Sequence, residues 1–400
     1  MVTLLLLSCW AFPCAADEWL DADGECHAAP SGASDPLDTA DTGTIDTAET
    51  ADTSDTSDAV DTSDTADTSD SGDTGTLADA WPRHFTAPYV DATAYPTVKL
   101  GTIAPENGVW RYTLGFLVAA SLTDCTASWG TYFTLETGPS AWGDGGEYFL
   151  YDEIATLRAG GGDVMVSFGG AANTPIEAAC STPEALATEI ERVIVALDLQ
   201  AIDFDVEGAW LADAASVQRR TDAIKLVQAW AAVNGRPLHV WLTLPVLPSG
   251  LTADGVAVVQ SAVDAFVVLD GVNLMTMDYG PGEAPDPDGN MGEYGITALQ
   301  STHDQLRLIW PTIPDAELWT RLGTTPMIGQ NDVAGEVFDV EDAGQTRSFA
   351  EENLVGMLGF WSINRDHPCE AASEWARGDC TGFTDVPDWA FAQEFAGYGE

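Results

Sequence analysis

The stretch Ala201-Ile202-Asp203-Phe204-Asp205-Val206-Glu207-Gly208 decides how this chain is read. Successive side chains of a strand point to opposite faces, so Asp203, Asp205 and Glu207 share one face and Ile202, Phe204 and Val206 the other. In a barrel strand the apolar set packs under surrounding helices, and the three acids line the interior up to its mouth. Like charges crowded where water is scarce resist ionisation, which raises the pH at which they lose protons. Glu207, at the end of the row, is thereby suited to donate a proton near neutrality. A solvent-facing strand and a cation site made of the three acids are the competing readings. Phe204 and the flanking aliphatics argue against exposure, and no other cluster of hard ligands lies nearby in the sequence.

Outward from that stretch, apolar runs alternate with amphipathic ones from Trp81 onward. Strands are predicted near Tyr89 and over 112–119, 163–168, 201–207, 238–244, 267–277, 324–328 and 355–361. Helices are predicted over 151–159, 182–197, 214–233, 253–263, 295–309 and 340–353. Eight strands with intervening helices predict an α/β fold, the (β/α)8 TIM barrel, whose chemistry sits at the C-terminal strand ends. Residues 81–400 suit one such domain in size.

The remainder of the 400 residues reads differently. Residues 1–16 form an export signal: Leu4 to Leu7 sit in an apolar stretch too short to span a bilayer, and Ala15 and Ala16 precede Asp17. Cleavage after Ala16 is one processing route. The other is lipoprotein processing at Leu6-Leu7-Ser8-Cys9, which would anchor the chain through Cys9. Residues 17–80 hold no Lys or Arg, and from Asp35 to Thr76 repeat Asp-Thr, Ala, Ser and Gly, with too little apolar surface to fold. An unfolded acidic linker is expected there.

Lys and Arg number 14 against 64 Asp and Glu, a net charge of −50. Nucleic acid and anionic membrane surfaces are therefore excluded as partners, whereas a neutral polysaccharide is not repelled. Having only two lysines, Lys99 and Lys225, on so acidic a chain also fits a salty habitat. A monomer is expected. The cysteines form no C-x-x-C, and the histidines (His27, His84, His239, His303 and His367) are scattered singly, so neither a metal nor a cofactor is expected. Disulfides Cys125–Cys180 and Cys369–Cys380 are the expected pairing, with Cys26 left over in the leader.

The 201–207 run resembles the Asp-Gly-x-Asp-x-Asp-x-Glu signature that ends the fourth barrel strand of family 18 glycoside hydrolases, the chitinases and related endo-N-acetylglucosaminidases. Asp203, Asp205 and Glu207 match it, while Gln200 and Ala201 stand where the family has Asp-Gly. Three more segments resemble the family in order. Val164 to Gly170 (Val-Met-Val-Ser-Phe-Gly-Gly) is similar to its third strand, Asn273 to Tyr279 (Asn-Leu-Met-Thr-Met-Asp-Tyr) to its sixth, and Leu358 to Asp366 (Leu-Gly-Phe-Trp-Ser-Ile-Asn-Arg-Asp) to its eighth.

The resemblance implies a retaining hydrolase of chitin or N-acetylglucosamine oligomers that uses the substrate's own 2-acetamido oxygen as nucleophile. Glu207 would be the acid and later the base, Asp205 would hold the acetamide N–H, and Asp203 would tune Asp205. Trp361 would floor the sugar site, and Asp278 and Tyr279 would complete the acetamide pocket. Met277 stands where many members have a Tyr. Tyr279 shares strand parity with it and would supply the missing hydroxyl, or else turnover or preference would change. Ser167, Gly169, Gly170 and the loop residues Gln330, Asn331 and Asp332 are softer candidates for the sugar site, and Tyr89, Trp129, Tyr132 and Trp142 for stacking on further sugars. A chitinase-like lectin without turnover, and an endo-β-N-acetylglucosaminidase acting on glycoprotein or peptidoglycan glycans, are the alternatives to a chitinase.

Overall fold

Every apolar run named above becomes a stave of one closed parallel sheet. The computed structural model describes residues 18–20, 26–28, 81–136 and 149–399. Strand β1 comes in two pieces, Phe85–Thr86 and Tyr89–Asp91. Then follow β2 (Arg111–Ser121), β3 (Asp163–Gly169), β4 (Ala201–Asp205), β5 (His239–Leu247), β6 (Gly271–Met275), β7 (Leu322–Thr325) and β8 (Met357–Leu358). Each pairs in parallel with the next, and the two pieces of β1 close the ring: Thr86 lies opposite Leu358, and Tyr89 opposite Thr113. Among the described residues, closure leaves none of the eight staves as an edge strand of the ring.

Alternation along the strands sorts side chains into two cores. Ile202, Phe204 and Val206 of β4 join the large cluster between sheet and helices. Inside the ring a smaller cluster, including Phe85, Tyr89, Met165, Ala201, Trp241 and Met357, plugs the barrel, and Phe116 and Trp361 pack onto it. Asp203 and Asp205, also turned inward, are both buried. The barrel therefore has an apolar plug and an acidic row inside.

The helices follow their strands in order: α1 (Leu100–Asn107), α2 (Tyr151–Ala159), α3 (Pro183–Leu197), α4 (Ala214–Val233), α5 (Ala253–Asp264), α6 (Met291–Ile309), α7 (Val340–Asn353) and α8 (Ala390–Phe395). Their starts are written locally. Thr182 and Thr252 accept backbone N–H bonds from Ala185 and Gly255 at the heads of α3 and α5, and Asp339 with Asp342 forms a capping box at α7.

Several strands are shorter than expected. The ladder of β7 with β8 breaks after Thr324, where Pro326 has no N–H to donate, and resumes at the Met327–Trp361 bridge. That of β6 is bounded by left-handed residues, Phe266 before it and Asp278 after it. An antiparallel extension, Asp124–Trp129 on β2 with Phe133–Thr134 beyond, was not anticipated, nor were α1 and α8. Trp129, offered as a sugar platform, is fully buried in the outer core.

Both expected disulfides are present. Cys125 on that extension joins Cys180, and Cys369 joins Cys380 to close a loop after β8. Among the described residues, no helix is long and apolar enough to cross a membrane. The expected signal, Cys9, Trp142 and the Asp/Thr tract lie outside the described residues. Within 17–80 the structure describes only Glu18–Leu20 paired antiparallel with Cys26–Ala28, in a unit separate from the barrel.

Cys125 and Cys180 are 55 residues apart in sequence. Replacing both with Ser is expected to lower unfolding free energy by about 2–4 kcal/mol in a urea titration, because the unfolded chain regains the freedom of that loop.

Candidate active site

The parity of β4 raises its three carboxylates in a line toward the C-terminal mouth of the barrel. Asp203 is deepest, with no exposed surface, and is held by three hydroxyls, two from the adjacent strands β3 and β5 and one from β1 across the barrel. Its Oδ2 accepts from Ser167 Oγ at 2.6 Å and Tyr89 OH at 3.0 Å, and its Oδ1 from Thr243 Oγ1 at 2.8 Å. Asp205 comes next. Its Oδ1 is buried and accepts no hydrogen bond from the protein among the described residues. The ladder ends there, but Val206 N–H still donates to Thr243 and Glu207 keeps an extended backbone, so Glu207 continues the same face into the open cleft.

Burial governs the charges of this row. It pushes the Asp203 carboxyl up to about 6, against the opposing pull of its hydroxyl donors and the Phe204 N–H. Asp205 is pushed well above the ordinary carboxylate range by burial first, and then by the charges of Glu207 and Asp203. Glu207 rises to about 7, by burial first and then by the negative charge of Asp278. A row of three acids thus holds protons at pH values where isolated carboxyls have lost them.

The cleft over the row is about 230 Å³. Trp361 floors it, stacked on Phe116 with ring centroids 5.5 Å apart and planes 21° from parallel, and with Tyr89 tilted against it at 6.1 Å. Met275, Met277 and Met327 make an apolar wall. Asp205, Glu207, Thr243, Asp278, Thr325 and Asp332 supply polar groups. One flat apolar face, a ring of acceptors and a raised-pKa acid suit a neutral polyhydroxylated ring.

The structure brings Trp361, Asp278 and Met277 to the cleft as expected from the sequence, and relocates several others. Tyr279 does not take Met277's place. Asp278 adopts a left-handed φ of 54°, so strand parity is lost after Met277, and Tyr279 turns into the wall, 6.2 Å from the Tyr294 ring of α6. Its hydroxyl is buried without a hydrogen-bond partner among the described residues.

Ser167 grips Asp203 instead of facing the cleft. Gly169 and Gly170 shape the backbone beneath the site: a Cβ at Gly169 would stand 2.0 Å from the Asp205 carbonyl oxygen, and one at Gly170 2.8 Å from the Phe116 ring. Asn331 is buried in its own loop, donating to the Met327 and Gly329 carbonyls, while its neighbour Asp332 lines the cleft. Tyr89 and Thr243, which hold Asp203, lie outside the quoted motifs. Inward parity on β1 and β5 is the signal that points to them.

No protein-family model matches the chain. It is 38% identical over 323 residues, 79% of its length, to a probable bifunctional chitinase/lysozyme of Escherichia coli (strain K12). It is 39% identical over 293 residues, 72% of its length, to Endochitinase 11 of Metarhizium anisopliae. The matches span 35% and 54% of those two proteins. Among solved structures, the catalytic domain of a hyperthermophilic chitinase from Pyrococcus furiosus matches with a TM-score of 0.68 and 32% identity, over 79% of this chain and 94% of that one. Catalytic-site mutants of active domain 2 of the thermostable chitinase from the same organism, complexed with chito-oligosaccharides, match equally well. With that identity carried across nearly the whole of a solved chitinase catalytic domain, the chain belongs to glycoside hydrolase family 18 and carries a chitinase-like catalytic domain.

Proposed function

We propose that this chain hydrolyses β-1,4 bonds between N-acetylglucosamine units outside the cytoplasm, with retention of configuration and Glu207 as general acid and base. The observation that carries the reading is the row of inward carboxylates ending in Glu207, whose carboxyl is raised to about 7 at the mouth of the cleft. The two relatives, a probable chitinase/lysozyme and an endochitinase, support the substrate class. Two disulfides support an oxidising compartment.

Protonated Glu207 gives its proton to the glycosidic oxygen as the bond to the anomeric carbon breaks. The 2-acetamido carbonyl oxygen of the same sugar attacks that carbon, so no enzymic nucleophile is needed. Asp205 accepts a hydrogen bond from the acetamide N–H through the buried oxygen that lacks a protein donor. Its ionised form, resisted by burial in the free site, is favoured by the positive charge that develops on the acetamide. Asp203, saturated by three hydroxyls, acts on Asp205 from below through its charge. Glu207, now ionised, then takes a proton from the water that opens the intermediate. Trp361 supplies the apolar face on which the ring sits. With Tyr279 turned away, the polar groups on the β6–β7 side of the sugar are Asp278, Thr325 and Asp332.

Hydrolysis of N-acetylglucosamine oligomers followed by NMR of the first-released anomer is expected to yield the β-anomer. In Glu207→Gln, turnover should drop by about 10²–10⁴-fold, the usual worth of a positioned acid and base. First release of the α-anomer, or a fully active variant, would sink the mechanism. Because Glu207 must hold its proton to act, kcat/KM should fall as pH rises through about 7.

The same shift carries a stability consequence. A carboxyl whose folded pKa is raised contributes stability that is fully present below its unfolded value and is lost as pH rises through its folded value. Glu207→Gln should therefore be more stable than the unaltered protein at pH 8, by about 1–3 kcal/mol, with the difference vanishing toward pH 4. Denaturant unfolding at the two pH values measures it.

A further inference from the structure

The far wall of the cleft depends on a residue outside every quoted motif. Glu336 sits on a hairpin after β7, in which Gly329–Gln330 pairs antiparallel with Val337–Phe338, and it is 1% exposed. Its two carboxylate oxygens are divided between successive amides of the loop after β6. Oε2 accepts from Tyr279 N–H at 3.0 Å, and Oε1 from Gly280 N–H at 2.6 Å. The tie is reciprocal, since Asp278 Oδ1 accepts from Val333 N–H of the hairpin at 2.9 Å. Three hydrogen bonds to two carboxylates thus bind the loops that follow β6 and β7.

The turn being held needs holding. Asp278 lies at φ 54° and Gly280 at φ 79°. For a residue other than Gly the left-handed region is strained and persists only where surrounding contacts over-determine it. Asp278 lines the cleft and its charge bears on Glu207, so its aim matters to the acid. We propose that Glu336 is a positioning residue for Asp278: its grip on the Tyr279 and Gly280 amides sets the left-handed turn that aims the Asp278 carboxylate into the cleft.

Burying a carboxylate for this purpose is costly, and two charge-assisted bonds to amides that would otherwise lose their acceptors offset the cost. Glu336 interacts with Asp278 and the Tyr279 phenol, and Asp278 itself faces the Asp332 carboxylate and the Arg365 guanidinium. A glutamine at this position keeps the shape but offers one acceptor where two are used, and turns an N–H₂ toward an N–H.

The inference rests on the hydrolase reading above, and its test separates the two. Hydrogen exchange at the Tyr279 and Gly280 amides and the pH profile of kcat/KM on N-acetylglucosamine oligomers are measured in the full chain for the unaltered protein, Glu336→Gln, Asp278→Asn and the double variant. In Glu336→Gln, both amides should exchange faster while the barrel strands stay protected. Glu207 then feels less of Asp278's charge, so the high-pH limb should move to lower pH by about half a unit or more. In the Asp278→Asn background, Glu336→Gln should leave that limb in place, because the two act as one coupled pair. Unchanged exchange at the two amides would overturn the proposal, as would an equal displacement of the limb with Asp278 already replaced. A complete lack of turnover by the unaltered protein would count against the hydrolase reading alone, with exchange still testing the grip of Glu336.

Discussion

Everything at this site follows from placing three carboxylates on the inner face of one strand of a closed barrel. A charge inside such a ring has little water to solvate it, and three in a row repel one another. The barrel answers differently at each level. Asp203, the deepest, receives hydroxyl donors from β1, β3 and β5, so the ring itself is the solvent of that group. Among the described residues Asp205 is left with an unpartnered oxygen and a strongly raised pKa, a cost that the cationic intermediate of the proposed mechanism would remove. Glu207, at the mouth, stays protonated close to neutrality. The gradient from saturated to unsatisfied to half-open is set by depth along one strand.

The remaining architecture holds that strand and its roof in place. Gly169 lets β3 pass close to the Asp205 carbonyl, and Gly170 leaves room for the Phe116 ring on which Trp361 stacks. The roof is made from loops that share no regular structure, and side-chain carboxylates and cross-links stand in for ladders. Glu336 and Asp278 tie the β6 and β7 loops together. The loop closed by Cys369–Cys380 lies under the hairpin, where Thr381 accepts from the Gln330 N–H. Loops carry the site because strand ends deliver few side chains to the mouth, and such loops need fixing of this kind to keep a geometry.

The barrel and its acidic row were legible in the sequence because both are periodic. Alternation over 201–207 predicts which residues face inward, and the division of β4 between inner and outer cores bears it out. Expected helices such as α3 and α5 carry 3.6-residue patterns that begin at a capping threonine, Thr182 and Thr252. What failed was extrapolation of the two-residue period past a strand end. Parity with Met277 points Tyr279 into the cleft, and the left-handed turn at Asp278 cancels that parity. Asn331 was indistinguishable from Asp332 in a run of three polar loop residues, and only the fold buries one and exposes the other. Glu336 carried no sequence signal, since its partners are backbone amides some 57 positions away.

Burial just past the end of β4, together with the charge of Asp278, sets the proton affinity of Glu207. A carboxyl ¹³C NMR titration resolving Glu207 in the unaltered protein and in Asp278→Asn tests it without turnover. The midpoint is expected near 7 in the former and lower in the latter. A Glu207 midpoint near 4.5, the ordinary value for its type, in both proteins would contradict the account.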